Sequence, residues 1–273
     1  MHVVAADDVW LVSLFAPALA AASRRRLAQL GLDAVAQRKT LEAIRRALEA
    51  DGYLGRSELV ERLRPLGIEI DASRRVHLFR VAVAEGIACL GPDRGSETLL
   101  ALARDWLGEP PQRDRGAALA ELARRYVGAF GPATEADFAG WSGLSLRDAR
   151  AGLGAIGREL VDVRLGTVRA WMPRRGARRA RQGLVRLSPA WDNYLMGHRR
   201  RDFIAAGDAW RRITPGGGLI RPVILVDGVA VGTWRMTRKR ASIEVKVSPF
   251  ADLDAGVREA IRGEVEDIQR FVG

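Results

Sequence analysis

The feature that most constrains this chain is an order of caps and turns that occurs twice, at an interval of about 70 residues. In the first occurrence Ser57 is placed to cap a short helix through about Leu66, the Gly67 to Asp71 turn breaks it, and a second helix is expected from Ala72 to Glu85. The apolar run Ile87-Ala88-Cys89-Leu90, the turn Gly91 to Gly95 and the returning Glu97 to Leu102 then form a two-stranded hairpin. In the second occurrence a helix runs to about Phe130, Thr134 caps a helix ending near Gly143, and Ser145 caps another to Gly157. Strands Val161 to Leu165 and Val168 to Met172 follow, turned at Gly166-Thr167. Helix, tight turn, helix and hairpin in that order predict a winged helix.

Outside the repeat, residues 7–29 and 33–50 carry apolar residues at helical spacing, with Gly31 and Asp51-Gly52 at their C-terminal ends. Residues 173–183 lack apolar periodicity and read as a charged linker. Beyond them Leu219 to Val226 and Val229 to Met236 alternate around Asp227-Gly228, a type I′ hairpin signal. Ala241 to Val247 and a helix from about Asp252 complete a small α+β or barrel-like module, and Gly216-Gly217-Gly218 is a flexible turn before its first strand. The expected fold class is therefore α+β and predominantly helical: tandem winged helix-turn-helix units followed by a small β-rich C-terminal domain. Its divisions are 1–31, a remnant of a first winged helix with a connecting helix; 32–108 and 109–173, one winged helix each; and 174–273, a basic β-rich domain with a terminal helix.

The chain carries a net charge of +11, which points to a polyanionic partner. The field is concentrated in residues 174–273, which hold 20 Lys+Arg against 11 Asp+Glu. Arginine outnumbers lysine 41 to 3, consistent with a GC-rich genome and, as a second reading, with phosphate recognition by guanidinium groups. The apolar stretch Val9 to Ala22 is too short to span a bilayer and lacks the charge order of a signal peptide, so no membrane partner is expected. A single cysteine, Cys89, cannot form an intramolecular disulfide and is expected reduced and buried, which suits a cytoplasmic, nucleoid-associated protein.

The second helix of a winged helix usually enters the major groove, which makes Arg74, Arg75, Arg147 and Arg150 candidate contacts to double-stranded DNA; the alternative is a solvated helix face. Residues 174–201 hold nine arginines against the single acid Asp192, so Arg178, Arg179, Arg199 and Arg200 are candidates for phosphates, with a solvated linker as the rival. Arg238, Lys239 and Arg240 form a basic hairpin tip suited to gripping a groove or backbone, unless the charge serves solubility alone. His2, His77 and His198 fit no metal-ligand spacing, and no metal or organic cofactor is expected. Trp106, Trp141, Trp171, Trp191 and Trp234 occupy apolar-periodic positions and are expected in the core.

Two runs, Ser188-Pro189-Ala190-Trp191-Asp192-Asn193-Tyr194-Leu195-Met196-Gly197-His198-Arg199 and Val223 through Arg235, resemble the AlkZ-like winged-helix family. Gly131-Pro132-Ala133-Thr134 to Trp141-Ser142-Gly143-Leu144 resembles that family's later winged helix, and His2 to Asp8 the close of its first. The resemblance implies three winged helices and a β-rich domain around DNA, and an activity that excises bulky alkylated bases or unhooks interstrand crosslinks without a cofactor. It also implies a catalytic Gln-x-Gln or Gln-x-Asp, with an apolar middle residue, in the first winged helix. That segment would precede Met1; the local match Gln112-Arg113-Asp114 has a charged middle residue, and Asp114 is expected to cap a helix. No residue here is therefore assigned as catalytic. The chain is expected to be either a shortened paralogue or the product of a mis-set start codon, the second preferred, with an apolar patch left exposed near its start. Three functions follow: a DNA-binding protein of the crosslink and alkyl-DNA glycosylase type, acting on intact or damaged duplex; a non-catalytic winged-helix transcriptional regulator; or a scaffold whose winged helices bind protein.

Overall fold

The computed structural model describes residues 4–108, 114–175, 182–239 and 242–272. Its contacts divide the chain into two compact units, Met1–Leu122 and Ala123–Gly273. The protein is mixed α and β, predominantly helical, and its sheets are small and antiparallel.

In the first unit a 3-10 helix, Ala6–Leu14, leads into α1, Ala16–Gln29, at a bend of 63°. The single helix expected over residues 7–29 is therefore broken at Phe15. Pro17 supplies the reason: its ring excludes the carbonyl four residues back and it has no N–H, so it fits only in the first turn of a new helix. Among the described residues no single helix is long and apolar enough to cross a membrane; only this bent pair meets the length and composition required. Val4 and Leu19 are exposed in this region.

Helix α2, Ala34–Asp51, starts at Asp33, whose carboxylate accepts the Ala36 N–H at 2.7 Å. Helix α3, Arg56–Leu63, is entered at Gly55 and not at Ser57, because Glu58 reaches back to accept the Gly55 N–H at 2.7 Å. Asp71 caps α4, Ala72–Ala84. Strands β1, Ala88–Arg94, and β2, Glu97–Leu102, follow. The five-residue turn expected at 91–95 contracts to Gly95-Ser96, and the ladder tolerates Gly91-Pro92 through an irregularity between Leu90 and Asp93. Leu54 bridges Leu100, adding a third short rung, and a short helix α5, Ala103–Leu107, closes the segment. Leu27, Ile44, Leu48, Leu59, Leu63, Leu78 and Val81 fill an aliphatic core between these elements. Cys89 is half-buried on β1, where burial pushes its thiol up, toward the protonated form.

Helix α6, Arg115–Phe130, is capped by Asp114, which accepts the Ala117 N–H at 2.8 Å. Helices α7, Glu135–Ser142, and α8, Leu146–Ala155, and strands β3, Leu160–Leu165, and β4, Val168–Pro173, follow within one residue or two of their expected bounds.

The last segment is an open sheet, not a barrel. Strands β5, Val185–Ser188, β6, Val223–Val226, β7, Val229–Lys239, and β8, Ser242–Pro249, lie in sequential antiparallel order. Val223 and Leu225 face a core shared with α9, Asn193–Met196, and α10, Asp208–Ile213, while Ile224 and Val226 face α11, Ala255–Val272. A sheet covered on both sides explains why β6 is a continuous apolar run. The Asp227-Gly228 turn has φ of 49° and 82°, as a type I′ hairpin requires, and the Asp227 carboxylate accepts the Gly183 and Leu184 N–H groups.

Candidate nucleic-acid interface

A reciprocal cap opens α7 and a simple cap opens α8. The Thr134 hydroxyl accepts the Asp137 N–H at 3.0 Å, while Asp137 Oδ2 accepts the Thr134 N–H at 2.9 Å and its hydroxyl at 2.7 Å. Gly143, at φ 72°, takes the left-handed turn that ends α7, and Ser145 caps α8 by accepting the Asp148 N–H. This places Arg147 in the first turn of α8, exposed and without an ion-pair partner among the described residues. A cation there opposes the helix dipole by a few tenths of a kcal/mol, about 0.3–1. An incoming phosphate would reverse the sign. Arg150, one turn on, is held by Glu135 at 2.8 Å.

The second oxygen of Asp137 does something the local sequence does not announce. Oδ1 accepts the backbone N–H of Arg199 at 2.8 Å, fixing the basic run 198–201 to the start of α7. Around this bond lies an aromatic cluster. Tyr126 stacks on Phe138 at 4.9 Å and donates its hydroxyl to the Gly197 carbonyl at 2.7 Å. Gly197 is required by the approach of Phe130, since a Cβ there would lie 2.3 Å from its ring. His198 meets Phe203 edge-on at 5.0 Å, and Arg201 donates to the His198 carbonyl with its guanidinium 5.1 Å from the Trp210 ring. The Arg199 side chain is left exposed, while Arg200 pairs with Asp202 at 2.8 Å.

Asp137 is buried, which alone would raise its pKa. The hydrogen bonds from Thr134 and Arg199, together with the nearby His198 imidazole, outweigh burial and hold the carboxyl below its ordinary value. Burial, aided by the Asp137 charge, pushes the Tyr126 phenol well up. The residue is therefore neutral and serves as a donor.

Among the remaining sequence-predicted residues, Arg74 is only 21% exposed in its side chain; it donates twice to the Leu30 carbonyl, at 3.0 and 2.7 Å, and once to the Glu69 carbonyl, at 2.7 Å. It is committed to bracing α4 against the end of α1. Arg75 is half-buried on the same helix. Arg238 is exposed near the end of β7, 3.4 Å from the Val272 carbonyl. Arg178, Arg179 and Arg240 lie outside the described residues, as does the side chain of Lys239. Among the described residues no group of three or more His, Cys, Asp and Glu is arranged to hold a metal.

Two tryptophans depart from the expected core. Trp106 is 44% exposed and Trp191 52% exposed. Apolar periodicity missed this because Trp106 falls in the five-residue α5 and Trp191 in a turn, both too short for a period to fix a face. By contrast Trp141 joins the aromatic cluster and Trp234 donates to the Ser188 carbonyl. The Asp137 to Arg199 bond spans 62 residues and has no local signature.

The model of the family described as DNA glycosylase AlkZ-like matches residues 1–271. The interstrand DNA cross-link repair glycosylase of Streptomyces sahachiroi is 29% identical over 201 residues, covering 69% of this chain and 52% of its own length. The chain thus spans about half the length of that curated relative. The solved structure of Streptomyces sahachiroi DNA glycosylase AlkZ superposes with a TM-score of 0.76 over 97% of this chain and 74% of that one, at 24% identity. At that identity the likeness is one of fold.

Proposed function

Because the chain belongs to the AlkZ-like DNA glycosylase family, we propose that it is a repair-family protein that holds damaged duplex DNA in the cytoplasm, on the nucleoid. In this reading α3–α4 with β1–β2 and α7–α8 with β3–β4 are winged helices, and the basic run 198–201 adds phosphate contacts beside the second of them. The observation that carries it is the Asp137 to Arg199 bond: a buried carboxylate fixes a basic segment onto the cap of α7 and leaves the Arg199 side chain exposed. Arg147 and Arg199 neutralise phosphates; the caps at Thr134 and Ser145 hold their backbones in place. Asp114 is occupied as the cap of α6, which argues against Gln112-Arg113-Asp114 as a water-activating motif. Glycosylase activity, named for the Streptomyces relative, would be hydrolysis of an N-glycosidic bond by residues other than these.

The test is fluorescence anisotropy with labelled duplexes that are unmodified, alkylated or crosslinked, over a salt series. Binding whose logarithm falls linearly with log salt, and that is tighter for the modified duplexes, supports the reading. Affinity that is flat in salt, or absent, overturns it. Equal affinity for modified and unmodified duplex combined with preference for a palindromic operator would favour a regulator instead.

A further inference from the structure

Trp191 is held in an unusual way. Its φ is 53°, in the left-handed region that a bulky side chain adopts only where its surroundings over-determine it, and such positions cluster at functional sites. Its indole Nε1–H donates to the Gly218 carbonyl at 2.9 Å, and its backbone N–H points at the Ile220 carbonyl at 3.4 Å. The neighbouring Asp192 caps α9 by accepting the Tyr194 N–H at 2.7 Å. The polar edge of the ring is thus tied down while half of the residue stays in solvent. A tryptophan present only to fill the core would not be fixed outward.

The ground beside the ring is open and cationic. Gly216, Gly217 and Gly218 all have positive φ, and a Cβ on any of them would meet nothing within 4 Å. Glycines of this kind let another backbone approach closely. Arg221 is exposed on the same stretch and donates to the Arg212 carbonyl at 3.1 Å, while the Arg212 guanidinium is turned onto the Phe250 ring at 4.3 Å.

We propose that Trp191 is a stacking platform for an unpaired nucleobase of bound DNA. The turn 216–218 admits the sugar-phosphate chain, and Arg221 neutralises a phosphate there. The proposal rests on the DNA-binding reading above. An exposed indole face takes any base, and one stacked base is worth about tenfold in affinity.

The experiment compares two labelled duplexes of equal length, one fully paired and one with a single-base bulge, across a salt series. Trp191→Gly suits φ 53° and removes the ring without backbone strain; Trp191→Asn, also tolerant of that conformation, is the second ring-free variant. Both should bind the bulged duplex about tenfold more weakly, leave the paired duplex nearly unaffected, and keep the wild-type salt slope, because the ring carries no charge. Trp191→Phe should retain most of the affinity. The proposal is overturned if the ring-free variants bind the bulged duplex as wild type does, or if both duplexes weaken equally with a shallower salt slope, since the ring would then only position an arginine. Wild-type protein that binds neither duplex would refute the DNA-binding reading itself.

Discussion

In the first helix-pair segment the arginine in the opening turn of the second helix, Arg74, is folded back onto the carbonyls of Leu30 and Glu69, whereas its counterpart in the second segment, Arg147, stays exposed at the start of α8. The hairpins do not share this contrast, since each carries an ion-paired arginine, Arg169 on β4 with Asp162 on β3 in the second. Arg94 at the end of β1 is neutralised by Glu58 at 2.8 Å, which holds the Glu58 carboxyl below its ordinary value. The cores differ too: aliphatic around α2 to α4, aromatic around Tyr126, Phe138 and Trp141. Equivalent local signals therefore produce a braced element in one place and an open basic corner in the other. What decides between them is the chain that arrives from elsewhere. The end of α1 brings a carbonyl that absorbs Arg74, and the run 197–201 brings a backbone N–H that satisfies Asp137 and adds further arginines.

The largest effect expected from disturbing this contrast is at Asp137. Asp137→Ala removes the reciprocal half of the α7 capping box and strands the Thr134 and Arg199 N–H groups, and should cost about 2–4 kcal/mol in denaturant unfolding. A loss below about 1 kcal/mol would mean that the basic run is not anchored there. The same residue sets a pH dependence. Its folded carboxyl titrates below its unfolded value, so its contribution is complete above about pH 4, the ordinary aspartate value, and is lost as the pH falls through the folded one. Stability measured along an acid series should fall less steeply in Asp137→Asn than in wild type. Parallel acid limbs would show that another group carries the acid response.

Much of this architecture was legible because it is written locally. Thr134 and Ser145, which the sequence marks as caps, each accept from the backbone of the helix that follows, as do Asp33 and Asp71, which are not among the expected caps, so helix starts and both hairpins of the repeat could be placed from short patterns. The failures are of two kinds. Some are local conflicts, as where Pro17 overrides helical periodicity at Phe15, or Glu58 moves a cap from Ser57 to Gly55. The rest are nonlocal. Strand β5 is four residues long, beside an arginine-rich stretch, and becomes a strand only because β6 is there to pair with it. The candidate site suffers most from this, since composition cannot tell Arg74, consumed by backbone carbonyls, from Arg147, which is not.

A smaller effect follows at Arg74. Removing its side chain leaves the Leu30 and Glu69 carbonyls without their guanidinium donor, so Arg74→Ala should cost about 1–2 kcal/mol in thermal or denaturant unfolding. Its salt slope for duplex binding should equal that of wild type. A shallower slope with no loss of stability would erase the distinction between the two segments.

The smallest structural effect belongs to Arg147. As an exposed cation on the positive end of α8, it contributes little to folding, and Arg147→Gln should change stability by less than about 0.5 kcal/mol, if anything upward, because the dipole conflict is relieved. Its effect should appear in binding alone: one fewer phosphate neutralised lowers the slope of log affinity against log salt by about 0.9 on duplex DNA. The pairing of the two variants is what gives the test its force. Arg74→Ala should move stability and leave the slope, and Arg147→Gln should move the slope and leave stability. A double variant should show both changes additively, since the two residues share no partner.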